Sequence, residues 1–355
     1  MGGRGPVGRW LIVAILLVIG GGIAVAYVRP MARAVVIVLL ERAGLPVRTL
    51  EIRSLGLREA EFGAVEIGSA GGPEAASARA SWSASGLLSG RIERLTIRRP
   101  KVSVALSGQS INVRGLPDFA TRPGDGAPPV QRLEIIDGML TAATPLGEIV
   151  AGLDATLTSG KGGLELDNLT VRRAALAFAG GSLSVANVAY RQGRPLDAAL
   201  EVRGVDLGAL LKLLDADGLS GSGALDGRIP IHMDPSGVRI AGGTVTASGP
   251  GVLRYAGGAL PAEAAGPDPS TGDRLKLVRD ALADFHYKSL ALTLERAASG
   301  EGTLMAKLEG ANPAVLDGHP FAINVRFETN FDKLATTLLE GYAAAARLVR
   351  AAPTR

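Results

Sequence analysis

Hydrophobic residues follow two rhythms in this chain. One unbroken apolar run, Trp10–Val28, opens it, and from Val47 onward short segments alternate aliphatic with polar residues. Leu50 and Ile52 alternate with Glu51 and Arg53, Val65 and Ile67 flank Glu66, and Val102 and Val104 flank Ser103. Ile92, Leu95 and Ile97 sit among Arg91, Arg94 and Arg98. A period of two turns one face of a strand to an apolar environment and the other to water, so each segment predicts a short half-apolar strand. Pro100 has no N–H to give a ladder and belongs at a strand end or bulge. Similar signals recur at Leu133/Ile135, Leu164/Leu166, Leu169/Val171, Leu183/Val185 and Leu200/Val202, then at Ile229/Ile231 and Val238/Ile240. Thr244–Ala247, Leu290–Leu294, Thr303–Leu308 and Ala322–Phe327 complete the set.

Helical spacing is the exception. Leu207, Leu210, Leu211 and Leu214 recur at three and four residues and predict a helix over Val205–Leu214. A second is expected over Asp273–Ala283, opened by the Ser270-Thr271-Gly272 turn. A third is expected over Asp332–Val349, with Leu334, Leu338, Ala345 and Val349 on one side and Asn330 as cap. The 19 uncharged residues of Trp10–Val28 match the length a helix needs to cross a hydrocarbon core. Arg4 and Arg9 before it and Arg29 and Arg33 after it leave its orientation undecided. A cleaved signal peptide is the competing reading, since Ala24-Val25-Ala26 has the small-residue pattern of a cleavage site. Met31–Leu40 continues as an interfacial helix, ended by Gly44 and Pro46.

The expected organisation is therefore 1–30, cytoplasmic tail and transmembrane anchor; 31–46, interfacial helix; 47–115, first β segment; 131–330, second β segment; and 331–355, C-terminal helix and tail. Residues 116–130 (LPDFATRPGDGAPPV), with four prolines, form a loop or linker between the β segments. Within the β segments, Leu133–Ala142 (LEIIDGMLTA) and Val238–Ala247 (VRIAGGTVTA) align without gaps and share Ile135/Ile240, Gly138/Gly243, Thr141/Thr246 and Ala142/Ala247. Each reads as a strand, a two-residue turn and a return strand, with the shared Gly at the turn. Two coincident hairpins and a true repeat both account for this. A true repeat favours an elongated sheet grown by stacking hairpins.

Composition narrows the chemistry. Aromatics are only 4% against 47% hydrophobic residues, so the apolar surface is made of Leu, Val, Ile and Ala, suited to a core or to acyl chains. The 48 glycines fit many turns and bends. The net charge is only +4 and the basic residues are dispersed without stacking aromatics, which excludes a nucleic-acid partner. With no cysteine there is neither a disulfide nor thiol catalysis. His232, His286 and His319 have no zinc spacing. Gly218–Gly223 fails the nucleophile-elbow spacing and reads as a flexible turn. Asp215, Asp217 and Asp226 lack the ligand ladder of a calcium loop and read as a helix-ending loop, and Lys161 lacks the rest of a phosphate loop. No catalytic set, metal or cofactor is expected. The densest charge, Arg91, Arg94, Arg98, Arg99 and Lys101, is either the solvated face of a strand pair or a surface for anionic lipid headgroups.

Leu87–Pro117 (LLSGRIERLTIRRPKVSVALSGQSINVRGLP) resembles the AsmA-like envelope proteins, in which a Gly-Arg-Ile segment leads into a strand, a proline and a second strand. Leu219–Tyr255, Ala281–Leu294 (ALADFHYKSLALTL), Gly310-Ala311-Asn312-Pro313 and Glu328-Thr329-Asn330 resemble the carboxy-terminal part of the YdbH-type intermembrane phospholipid transport proteins, and the resemblance implies a short member of that family. The resemblance implies a mainly β fold: an N-terminal transmembrane helix in the inner membrane, then an elongated, curved, taco-like and mostly antiparallel sheet in the periplasm, with a hydrophobic groove and a few short helices. Phospholipid acyl chains run along the groove while headgroups stay in water. A small outer-membrane lipoprotein extends the sheet by strand addition. On this reading the groove candidates are Ile92, Leu95, Ile97, Val102, Val104, Leu133 and Ile135 in the first half of the chain. In the second half they are Leu183, Val185, Ile229, Ile231, Val238 and Ile240. Roughly eighteen strands at ~4.8 Å give about 85 Å of sheet, short for bridging two membranes without a partner. The alternative is an anchored envelope scaffold or secretion-system component with the same fold and a closed, protein-filled interior.

Overall fold

A strand sends residues i and i+2 to one face and i+1 to the other, so alternating sequences collect aliphatics on one side of a sheet and charges on the other. The computed structural model describes residues 47–88, 91–107, 110–116, 130–144, 146–160, 163–214, 218–256 and 279–330. The expected anchor Trp10–Val28, the interfacial segment Met31–Leu40, the C-terminal helix, Lys161, Asp215, Asp217 and most of the 116–130 segment lie outside the described residues. Among the described residues, no helix is long and apolar enough to cross a membrane. The fold there is mainly β, and it divides into two compact units.

Unit 1 takes in the described residues up to Ser103, with those of Asn112–Gly138 and Thr156–Glu165. Its strands β1 (Val47–Leu55), β2 (Glu59–Ile67), β3 (Glu74–Ala75) and β4 (Ser77–Ser81) are followed by a short helix, α1 (Ala84–Leu88), and by β5 (Ile92–Arg98). β1 pairs antiparallel with β2, β2 with β3 and β4, and β4 with β5. The strands β6 (Lys101–Ser107) and β7 (Ser110–Val113) precede β8 (Val130–Thr144), which returns to pair with β5 in parallel, Ile92 opposite Val130 and Arg98 opposite Ile136. A parallel pair needs a crossover of a dozen or more residues, and the chain between Arg98 and Val130 supplies it. Strands on both sides of the proline-rich segment thus pair within one unit.

Unit 2 takes in Val104–Ile111, Met139–Ala155 and the described residues from Leu166 onward. β9 (Gly147–Gly160) and β10 (Gly163–Phe178) lead into β11 (Gly181–Arg191) and β12 (Leu196–Asp206). Then come α2 (Leu207–Leu213), β13 (Leu219–Ser222), β14 (Ala224–Asp234), β15 (Gly237–Ala247) and β16 (Gly251–Tyr255). β17 (Phe285–Arg296), β18 (Glu301–Ala311) and β19 (Phe321–Asn330) close the series. Antiparallel pairs run β10–β11, β11–β12, β12–β14, β14–β15, β15–β17, β17–β18 and β18–β19, and β13 pairs with β16, which also pairs with the start of β17.

The helix expected over Val205–Leu214 forms one residue shorter at its C-terminal end and two at its N-terminal end. Val205 and Asp206 stay in β12 opposite Leu225 and Ala224. Asp206 then caps the helix, its carboxylate accepting from the Ala209 N–H at 2.7 Å. Of the helix expected over Asp273–Ala283, residues 279–282 are described and helical.

Two sequence expectations are corrected. The aligned segments Leu133–Ala142 and Val238–Ala247 are not hairpins: each lies inside a single strand, β8 or β15. What they share is one residue in the left-handed region, Asp137 at φ 59° and Gly242 at φ 69°, each followed by a buried Gly. At Gly242 the register with β17 shifts between Ile240 and Gly243, which marks a β-bulge that bends and twists the strand without ending it. The turn chemistry was real, but flanking strands on both sides held the chain extended. Likewise Gly218–Gly223 is not a flexible turn, since Leu219–Ser222 pairs residue for residue with Val252–Tyr255.

Candidate functional site

In unit 2 the strand registers bring one aliphatic face together. A row runs across the strands as Leu176, Leu183, Val202, Gly227, Val245, Leu292, Ala306 and Val325, each opposite the next. Beside it, Leu200 lies opposite Ile229, and Gly243 opposite Leu294, then Leu304 and Phe327. A Cβ on Gly243 would touch Ile229, Ile240 and Leu294 at 3.2–3.3 Å, so these rows are in side-chain contact distance of one another. Further along, Ala198 faces Ile231 and Ile231 faces Ile240, and then Leu196 faces Met233 and Met233 faces Val238.

Burial changes along this face. At one end Val205, Leu225, Leu290, Leu308 and Ile323 are buried in a core cluster with Leu207 of α2, Leu282, Phe285 and Tyr287. Ile229, Ile231, Ile240, Leu294 and Leu304 are only half-buried, and Met233 at the far rim is 44% exposed. The face is thus closed at one end and open to solvent at the other.

The closed end is built from backbone outward. Tyr287 reaches under β13, where its hydroxyl donates to the Ser222 carbonyl at 2.7 Å. Gly223 and Gly251 make room for it, since a Cβ on either would come within 2.1–2.3 Å of that hydroxyl. Burial raises the Tyr287 phenol above its ordinary value, with the Asp206 charge adding, which keeps it a neutral donor. Buried Asn312 holds the neighbouring helical turn, its amide donating to the carbonyls of Asp280 and Ala281 at 2.9 and 3.1 Å while its oxygen accepts from the Ala314 N–H. Phe285 packs on Phe321 with ring centres 5.3 Å apart.

The opposite face is polar. Glu201 and Arg228 form an ion pair at 3.3 Å, and His232 Nδ1 meets Asp197 at 2.6 Å with Arg239 beside Asp234 at 2.6 Å. The Ser236 hydroxyl and N–H, followed by Arg239 and His232, hold the Asp234 carboxyl below its usual range. Asp226, read from the sequence as part of a helix-ending loop, lies instead in β14. It clamps the β12 bulge at Gly204 (φ 60°) by accepting from the Gly204 N–H at 2.8 Å and from the Ser248 hydroxyl. Ser248, then Gly204 and Arg203, depress its pKa. A carboxylate with a depressed folded pKa stabilises the fold fully above its unfolded value near 3.8, and that contribution disappears as pH falls through the lower folded value. Asp226→Asn is therefore expected to lower stability at neutral pH and to flatten the loss of stability below about pH 4, read from denaturant midpoints across pH. An unchanged acid limb would remove the clamp.

Unit 1 has its own two-faced sheet. Ile52, Phe62, Ala78, Ile97 and Ile135 form one cross-strand row, and Ala60, Ala80, Leu95 and Leu133 the next. On the other face Glu61 meets Arg79 at 3.4 Å and Glu134 meets both Arg94 and Arg132 at 3.6 and 2.8 Å. Lys101 pairs with Glu74 at 2.8 Å, so part of the basic cluster is already matched by carboxylates.

The groove candidates Leu95, Ile97, Leu133 and Ile135 share the aliphatic face of unit 1, and Leu183, Val185, Ile229, Ile231, Val238 and Ile240 share that of unit 2; Ile92 is corrected, because three residues before Leu95 in an unshifted register it falls on the polar face with Arg94. Val102 and Val104 lie on β6, and all of these residues are half-buried. Val202, Val245, Leu292, Leu294, Leu304 and Phe327 lie in segments read as strands from the sequence but are not among the groove candidates, and Phe62 is in neither set; register joins them all to these faces.

Residues 138–350, more than half of the chain, match the family model described as YdbH-like, intermembrane phospholipid transport protein YdbH. No curated protein and no solved structure matches the chain.

Proposed function

The chain belongs to the YdbH-like family, and from that premise we propose that it is a membrane-anchored, non-enzymatic carrier of phospholipid between the inner and outer membranes of a diderm envelope. Acyl chains lie on the aliphatic faces and headgroups remain in water. The observation that carries this reading is the half-open face of unit 2, where Ile229, Ile231, Ile240, Leu294 and Leu304 meet: the positions Leu200, Ile229, Gly243, Leu294, Leu304 and Phe327 carry no charge, and the neighbouring Ile231–Ile240 row reaches a cation only at Arg296 on its edge. Each methylene moved from water onto such a surface contributes about 0.8 kcal/mol, and aliphatic walls impose no direction on a sliding chain. The Trp10–Val28 run is the anchor in the inner membrane, with the bulk of the chain in the periplasm. A small outer-membrane lipoprotein that adds a strand to a free sheet edge is the partner this reading calls for.

Photo-crosslinkers test it face by face. One at Ile135 or Ile240 is expected to trap phospholipid, whereas one at Glu134 or Arg239, on the opposite faces, is not. Equal labelling on both faces, or none on either, would end the proposal.

A further inference from the structure

The turn between β1 and β2 holds the most exposed large apolar side chain among the described residues. Leu57 is 94% exposed and Leu55, two residues before it, is 39% exposed. This tip is held from behind. Trp82 donates its indole N–H to the Leu57 carbonyl at 3.0 Å and its backbone N–H to the Arg58 carbonyl at 2.9 Å, and the Gly56 N–H reaches the Glu59 carbonyl at 2.8 Å. With its carbonyls occupied in this way, the tip presents the Leu57 side chain outward on a fixed backbone, with a half-buried indole beside it. The polar row at this end of the strands runs Glu59, Ser81, Arg94, Arg132. Arg94 and Arg132 share the single carboxylate of Glu134, and Arg58 is exposed on the tip itself. Arg58, Arg94 and Arg132 thus outnumber Glu59 and Glu134.

Leucines projecting from a rigid turn, a tryptophan whose polar edge is engaged at their base, and a surplus of arginine behind them match the layers of a bilayer surface in order: acyl region, interface and anionic phosphates. A protein partner would be expected to cover such a side chain with a pocket, and the arginines would then need carboxylates. The geometry points to the β1–β2 tip as a docking element that inserts Leu55 and Leu57 into the headgroup boundary of an anionic phospholipid bilayer. This goes beyond the acyl-chain path, because it concerns contact with the membrane surface and not passage along the sheet.

The chain has two tryptophans, so Trp10→Phe leaves Trp82 as the sole indole of the full-length protein. That variant is reconstituted into phosphatidylcholine–phosphatidylglycerol vesicles containing lipid brominated near the headgroup. Trp82 fluorescence is expected to fall by about half relative to unbrominated vesicles, as for an indole at the interface. Adding Leu57→Asp, at a position too exposed to affect folding, is expected to reduce that quenching at least about twofold, because the carboxylate holds the tip out of the hydrocarbon boundary. Absence of quenching overturns the proposal. So does quenching that Leu57→Asp leaves unchanged, since the bromine would then belong to lipid lying elsewhere on the protein. Photo-crosslinking at Ile240 in the same variants reads the acyl path separately, and its loss or retention leaves the result for the tip unaffected.

Discussion

Ile240→Asp is expected to leave unit 2 folded and to reduce phospholipid crosslinking from neighbouring face positions by about tenfold or more. Ile240 is half-buried, opposite Ile231 on one side and Arg296 on the other and next to the Gly242 bulge, so a carboxylate there can turn toward solvent or the Arg296 guanidinium in the empty protein. An acyl chain lying over the position would have to dehydrate that charge at a cost of several kcal/mol, and about 1.4 kcal/mol already corresponds to a factor of ten. The matched control is Leu225→Asp. Leu225 is 1% exposed in the core cluster, where the same charge has no route to water and unfolding is expected. Circular dichroism and crosslinking of both variants separate the two readings of the face. A closed, protein-filled interior, as in an envelope scaffold, would make Ile240→Asp as destructive as Leu225→Asp, and lipid transport would then have no surface to use.

Phe285→Ala is expected to destabilise unit 2 by about 3–5 kcal/mol, the range for removing a fully buried phenylalanine with only partial collapse around it. Phe285 is 0% exposed, packs on Phe321, and shares its cluster with Leu207, Leu282 and Tyr287. Against a typical total of about 5–15 kcal/mol this is a large fraction, and thermal unfolding should move down by roughly 6–20 °C. The loss should be local in origin, starting at the end where α2, β13 and β16 meet the main strands. A shift below about 2 °C, which corresponds to less than 1 kcal/mol, would mean that the closed end is not a core at all.

Some quoted sequence patterns have a physical task in the fold. Asn312, within Gly310-Ala311-Asn312-Pro313, satisfies three backbone groups around a helical turn that delivers Leu282 and Phe285 to the core. Gly310 lies so close to β17 that a Cβ would come within 2.1 Å of the His286 carbonyl oxygen. Gly223 and Gly251, inside the resembling stretch Leu219–Tyr255, admit the Tyr287 hydroxyl. These positions shape the closed end of the face, which is why the resemblance rests on glycine, asparagine and proline without any reactive group.

Alternation by itself determined that Leu95 and Ile97, or Ile229 and Ile231, share a face, because side-chain direction in a strand follows from the covalent chain alone. The apolar spacing of Leu207, Leu210 and Leu211 likewise sufficed for α2. Small residues concealed one element: β4 shows its face only through Ala78 and Ala80, which carry too little hydrophobic contrast to mark a strand. Only tertiary structure decided that the strand runs on through Asp137 and bulges at Gly242 instead of turning, since a left-handed residue suits either and neighbouring strands choose between them. It also decided the parallel return of β8 to β5 and the cross-strand row from Leu176 to Val325, because register is a property of pairs distant in sequence. Whether an aliphatic residue becomes core or open surface was settled last, by what packs over it: Leu207, Leu282 and Phe285 join Leu225 in the buried cluster and leave Ile240 half-open.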